Sequence, residues 1–124
     1  MYRSTVLVAD DEAPVRYVVR KMLGDDYTVL EAMDGEVAQD MARRHQPDII
    51  LMDIMMPKID GYSVVYMLKA DEATKHIPIV MLTAVSQELN KKFAQKMGAD
   101  GYIAKPFTQQ DLLDTIGRLV KSAK

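Results

Sequence analysis

Three stretches of this chain are apolar almost without interruption over the length of a strand: TVLVA (Thr5–Ala9), DIILMD (Asp48–Asp53) and PIVMLT (Pro78–Thr83). A strand with one wet face alternates apolar and polar residues. A strand covered on both faces has no reason to, and reads as a continuous apolar run. Two further strand-like segments are TVLEA (Thr28–Ala32) and GYIA (Gly101–Ala104). Helical periods lie between them. Val15, Val18, Val19, Met22 and Leu23 recur at helical spacing, with Pro14 in the first turn and Gly24 as the stop. Val37, Met41 and His45 mark a second helix behind Asp34 as its cap, and Val64, Val65 and Leu68 a third. Leu89, Phe93 and Met97 mark a fourth, capped by Ser86 and ended by Gly98. Leu112, Leu113, Ile116, Leu119 and Val120 mark a fifth, with Thr108 as N-cap and Asp111 three residues on. Five β–α units with short connections predict an α/β doubly wound, five-stranded parallel sheet with right-handed crossovers and helices on both faces.

Composition narrows the function classes. At 124 residues the chain has room for one domain (1–124) and can bury a core unaided. The absence of cysteine excludes disulfides and thiolate metal sites, in keeping with a reducing, cytoplasmic setting. A net charge of −2 with scattered basic residues gives no footprint for direct nucleic-acid binding. No apolar run approaches the roughly 20 residues of a membrane span, and MYRST lacks a signal-peptide pattern.

In sheets of this type ligands sit at the carboxyl ends of the strands, where strand order reverses. Asp10 and Asp11 follow the first strand, Asp53 ends the third, Thr83 ends the fourth, and Lys105 and Pro106 follow the fifth. Two carboxylates about 4 Å apart repel by about 4 kcal/mol at an effective dielectric near 20. Three acids meeting at one rim therefore call for a cation. An all-oxygen site with few protein ligands suits Mg²⁺, with Mn²⁺ as the alternative. Lys105 supplies a mobile ammonium and Thr83 a hydroxyl at the same rim. Metal, ammonium and hydroxyl around one carboxylate make an electrostatic cradle for phosphoryl transfer, with Asp53 as the nucleophile.

VADDE, PDIILMDIMMPKIDG, IPIVMLTA and GADGYIAKPF, taken at this spacing, resemble the receiver domain of two-component response regulators. The resemblance runs from about Thr5 to Val120. It implies the flavodoxin-like (βα)5 fold with strand order 2-1-3-4-5. It implies that Asp53 accepts a phosphoryl group from a phosphohistidine on a sensor histidine kinase or phosphotransfer protein. Asp10, Asp11, Asp53 and the backbone carbonyl of Met55 match the family's Mg²⁺ ligands, and Thr83 and Lys105 its phosphoryl-binding groups. Thr83 and Tyr102 match the switch pair, the Lys105–Pro106 bond is expected cis, and output is expected from the face of helix four, strand five and helix five. Gly101 stands where many relatives that pair through this face carry an acid, so the expected state is a monomer or a weak phosphorylation-dependent dimer. Met55 and Val85, each two residues past a site residue, are apolar and imply slow autodephosphorylation. The output partner or domain is not named by the sequence. A stand-alone receiver is expected, with a receiver excised from a larger regulator or hybrid kinase as the alternative.

Simpler readings exist for each residue taken singly. DD alone is a solvated loop, Thr83 a strand end, Tyr102 an edge aromatic, and Glu12 a partner for a helix dipole. His45 and His76 read as surface or helix-flank residues, and Lys91, Lys92 and Lys96 as a solvated face, with part of a partner surface as the alternative. Met22, Met52, Met67, Met81 and Met97 read as core filler. Gly61 after Asp60 points to a fixed loop beside the rim. An aspartyl-nucleophile phosphatase would need a second acid where Met55 stands. A flavin carrier would need a Ser/Thr- and Gly-rich phosphate loop in place of Asp10 and Asp11.

Overall fold

Successive side chains of β1 (Ser4–Ala9) point to opposite faces, and both faces are buried: Val6 and Val8 enter one core, Leu7 and Ala9 the other. Strands β3 (Ile49–Asp53) and β4 (Ile79–Thr83) behave alike and are buried at every residue. That double burial is why their sequences do not alternate. The structure is a computed structural model that describes residues 3–83, 92 and 95–123. With β2 (Tyr27–Ala32) and β5 (Gly101–Ala104) it forms a five-stranded parallel sheet in the order β2-β1-β3-β4-β5. Strand limits match the sequence expectation to within a residue at each end.

Helix α1 (Ala13–Leu23) starts with Pro14 in its first turn and stops at Gly24, whose φ of 60° is left-handed. A short 3-10 turn, Gly24–Asp26, leads into β2. The Asp34 side chain accepts from Val37 N–H at 2.9 Å to cap α2 (Gly35–His45), and Asp60 caps α3 (Gly61–Ala70) through Ser63 N–H at 3.0 Å. The C-terminal helix, Gln109–Ala123, opens with a reciprocal pair: Asp111 N–H to Thr108 Oγ1 at 3.0 Å, and Thr108 N–H to the Asp111 carboxylate at 3.1 Å. Residues 95–97 are helical and end at Gly98, φ +105°. The Ser86 cap, Leu89 and Phe93 of the fourth helical pattern lie outside the described residues.

Helix α1 and the C-terminal helix cover the face of Val6, Leu51 and Leu82, while α2 and α3 cover that of Leu7, Met52 and Met81. Two residues placed in the core by periodicity are surface residues. Val18 is 42% exposed and Met67 39%, because each helix meets the sheet along a narrower stripe than its apolar pattern suggests. On α2 the deepest positions are the small Ala38 and Ala42, with Val37 and Met41 at the flank. His45 and His76 are exposed, as expected.

Candidate functional site

Parallel register places the site. Ala9 pairs with Met52 and Asp53 with Leu82, so Asp10 and Asp53 leave adjacent strands side by side. Thr83 pairs with Ala104, which puts Lys105 just beyond the neighbouring strand end. This is the point where strand order reverses between β1 and β3.

Asp10 is fully buried and Asp53 nearly so, while Asp11 is exposed. Carboxylate oxygens of all three lie within 4.8 Å of one another, the only such acidic group among the described residues. Lys105 Nζ donates to Asp10 Oδ2 at 3.0 Å and to Asp53 Oδ1 at 3.3 Å. One ammonium thus stands between two carboxylates from different strands. Burial pushes the Asp53 carboxyl above its usual range and the charge of Asp10 adds to this, while Lys105 and the Met55 N–H act the other way. For Lys105 burial acts to lower the pKa, but the hydrogen bond and charge of Asp10, then of Asp53, outweigh it and leave it raised.

The surrounding backbone is fixed tightly. Asp10 N–H donates to Ala32 carbonyl at 3.1 Å, and Asp10 Oδ1 accepts from Glu12 N–H at 2.9 Å. Gly61 N–H returns to Ile54 carbonyl at 2.8 Å. A Cβ on Gly61 would come within 2.9 Å of the Asp53 carbonyl carbon and of Ile54 Cα, so only glycine lets α3 start this close to Asp53. Lys58, in the same loop, adopts φ 70° and reaches Asp34 at 3.6 Å. The Lys105–Pro106 peptide is cis, and Lys105 N–H bonds the Thr83 carbonyl.

Thr83 is buried at the end of β4. Tyr102, on β5, is half-buried against the core under α2 and α3, with Tyr62 close enough for their phenols to interact. Met55 projects outward, 79% exposed. Val85 lies outside the described residues. Sequence reasoning passed over Arg16 and Glu31. Arg16 Nη1 donates to Asp10 carbonyl at 2.6 Å and Nε to Glu31 at 3.0 Å. The signals were a charged residue inside a strand-like run and two arginines, Arg16 and Arg20, four apart on one helix.

Three carboxylates and no nitrogen or sulfur donor are the oxygen-only chemistry of a hard divalent cation, so the residues fit Mg²⁺. No helix among the described residues is long and apolar enough to cross a membrane. The profile of the response regulator receiver domain matches residues 6–117. The phosphate regulon transcriptional regulatory protein PhoB of Pseudomonas aeruginosa is 41% identical over 116 residues, 91% of this chain and 50% of that protein. The chain spans half or less of the curated relatives it matches, down to 8% for histidine kinase P4 of Formosa agariphila. Among solved structures, chemotaxis protein CheY4 of Vibrio cholerae superposes with a TM-score of 0.89 at 33% identity, covering 95% of this chain and 99% of that one. The receiver domain of sensor histidine kinase PA1611 from Pseudomonas aeruginosa, solved with a magnesium ion coordinated in its active-site cleft, gives a TM-score of 0.89 at 30% identity over 97% of this chain and 99% of that one. On the sheet order, the rim of acids and these matches together, the chain belongs to the response regulator receiver domain family.

Proposed function

We propose that this chain is a Mg²⁺-dependent phosphoacceptor that takes a phosphoryl group on Asp53 from a phosphohistidine of a sensor histidine kinase or phosphotransfer protein. The observation that carries the proposal is the convergence of Asp10, Asp11 and Asp53 within 4.8 Å, with the Lys105 ammonium bonded to two of them. Those acids, with the Met55 carbonyl, would hold the ion. When bound it supplies positive charge against the phosphoryl oxygens and relieves repulsion among the acids.

The rest is the work of this chain's own groups. An Asp53 carboxylate oxygen attacks phosphorus in line. The P–N bond to imidazole breaks, the nitrogen keeps the electron pair, and the new P–O bond makes an acyl phosphate. Lys105, whose ammonium bonds Asp10 and Asp53 at the end of a flexible stem, turns from the carboxylates to a phosphoryl oxygen. The Thr83 hydroxyl donates to another. Charge and acceptor oxygens added at Asp53 draw Thr83 in. Tyr102 then has space to turn inward, and the surface around β5 and the C-terminal helix shifts between two populations read by an output partner or domain. The protein turns over no metabolite in this reading.

The test is incubation with acetyl phosphate and Mg²⁺ followed by intact mass. One phosphoryl group is expected on the wild type and none on D53A or in EDTA. Incorporation into D53A to the wild-type extent contradicts the assignment.

A further inference from the structure

Asp10 is held from three directions, by β2, by the loop that follows it and by α1. Its N–H donates to Ala32 carbonyl on β2, and its Oδ1 accepts from Glu12 N–H. Its own carbonyl accepts from Arg16 Nη1 at 2.6 Å, a short charge-assisted bond. Arg16 sits on α1 with a side chain only 16% exposed. Its Nε bonds Glu31 Oε1 at 3.0 Å, so the planar guanidinium spans from a β2 carboxylate to the backbone of the innermost acid. The other Glu31 oxygen takes Arg20, through Nε at 3.0 Å and Nη2 at 2.8 Å. Arg20 also reaches Val29 carbonyl at 3.1 Å, and its hydrogen bonds go to Glu31 and Val29 rather than to Asp10.

The two arginines divide the work. Either ties α1 to the edge strand β2 through Glu31. Only Arg16 continues to the residue whose carboxylate faces Asp53 and Lys105. We propose that Arg16 is a positioning residue for the acidic site: its guanidinium, oriented by Glu31, fixes the Asp10 backbone and with it the place from which the Asp10 carboxylate meets a divalent cation. This rests on the reading of Asp10, Asp11 and Asp53 as a Mg²⁺ site. Groups that orient a metal ligand from behind commonly change affinity by about 10–100-fold when removed.

The test compares Mg²⁺ titrations of wild type, R16Q, R16K and R20Q, followed by backbone amide NMR, with thermal unfolding in EDTA run alongside. R16Q is expected to bind Mg²⁺ at least about tenfold more weakly, with R16K intermediate, because an ammonium can hold the Asp10 carbonyl but not bridge to Glu31 as a rigid fork. R20Q is expected to lose stability while keeping wild-type affinity. R16Q affinity equal to wild type, or R20Q weakened as much as R16Q, overturns the proposal. If R16Q does not fold, R16K decides: weaker binding than wild type supports the proposal, and wild-type binding overturns it. A wild type with no Mg²⁺ response overturns the phosphoacceptor reading and this inference with it. A responsive wild type with an unaltered R16Q overturns this inference alone.

Discussion

Asp53 is less stable as an anion in its folded position than in water, chiefly because it is buried and then because Asp10 is beside it. An acid whose folded pKa is raised loses the folded state stability as pH climbs past the ordinary carboxylate range, since the unfolded chain ionises first. Neutralising it without changing its shape should therefore help in the absence of metal. D53N is expected to unfold several degrees above wild type in EDTA, and to gain less from added Mg²⁺, when thermal melts are compared. Lys105 is the opposite case. It is the ammonium that bridges fully buried Asp10 and nearly buried Asp53, and K105M leaves both without it. A loss of roughly 3 kcal/mol is expected from urea unfolding without metal. Equal melts for D53N and wild type would show that burial and the Asp10 charge do not destabilise the Asp53 anion. Met55 belongs to the same scale. Its exposed thioether offers an attacking water no strong hydrogen-bond partner. M55N is expected to shorten the acyl-phosphate lifetime, measured by decay of the phosphorylated mass; an unchanged lifetime contradicts slow hydrolysis set by this residue.

At the scale of elements, the α1–β2 edge carries its own electrostatic signature. The Glu31 carboxyl is held below its usual value of 4.5, first by the hydrogen bond from Arg20 and then by Arg16, against an opposing effect of burial. A depressed acid stabilises the fold at pH above its unfolded value and loses that contribution as pH falls through its folded value. E31Q should therefore show a shallower loss of stability below pH 4.5 in acid unfolding followed by circular dichroism, and an identical slope would contradict the assignment. The same edge shows where sequence reading succeeds and stops. Strands β1, β3 and β4 were legible because burial on both faces leaves a mark at every residue of β3 and β4 and from Val6 to Ala9 of β1. Helices were legible as elements, through Pro14, Gly24, Asp34 and the Thr108–Asp111 pair, but their buried stripes were not. Val18 and Met67 obey the period and still face water, while Ala38 and Ala42 carry the α2 contact with little hydrophobic signal. A small residue at a close approach is invisible to a hydrophobicity count. Arg16 is harder to read for a related reason: Glu31 within its strand run and Arg20 one turn on hint at a pairing, but neither tells that Arg16, and not Arg20, continues to the Asp10 carbonyl.

Across the whole molecule, parallel register turns residues far apart in sequence into neighbours. The β1–β3 pairing of Ala9 with Met52 brings Asp10 to Asp53, and the β4–β5 pairing of Thr83 with Ala104 brings Lys105 to both. The two cores lock that register, because a one-residue slip would send Leu51 and Met52 to the wrong faces. The acids of the site were legible from the sequence because each stands at the end of a strand that could be read. The fixing of Asp10 by Arg16 was not, because it depends on how α1 lies across β2. In the proposed function these segments converge on a divalent cation. The most direct measurement is anomalous diffraction from crystals grown with Mn²⁺ in place of Mg²⁺. One strong peak is expected between the carboxylates of Asp10, Asp11 and Asp53. No peak there, or a peak only elsewhere on the surface, would contradict it.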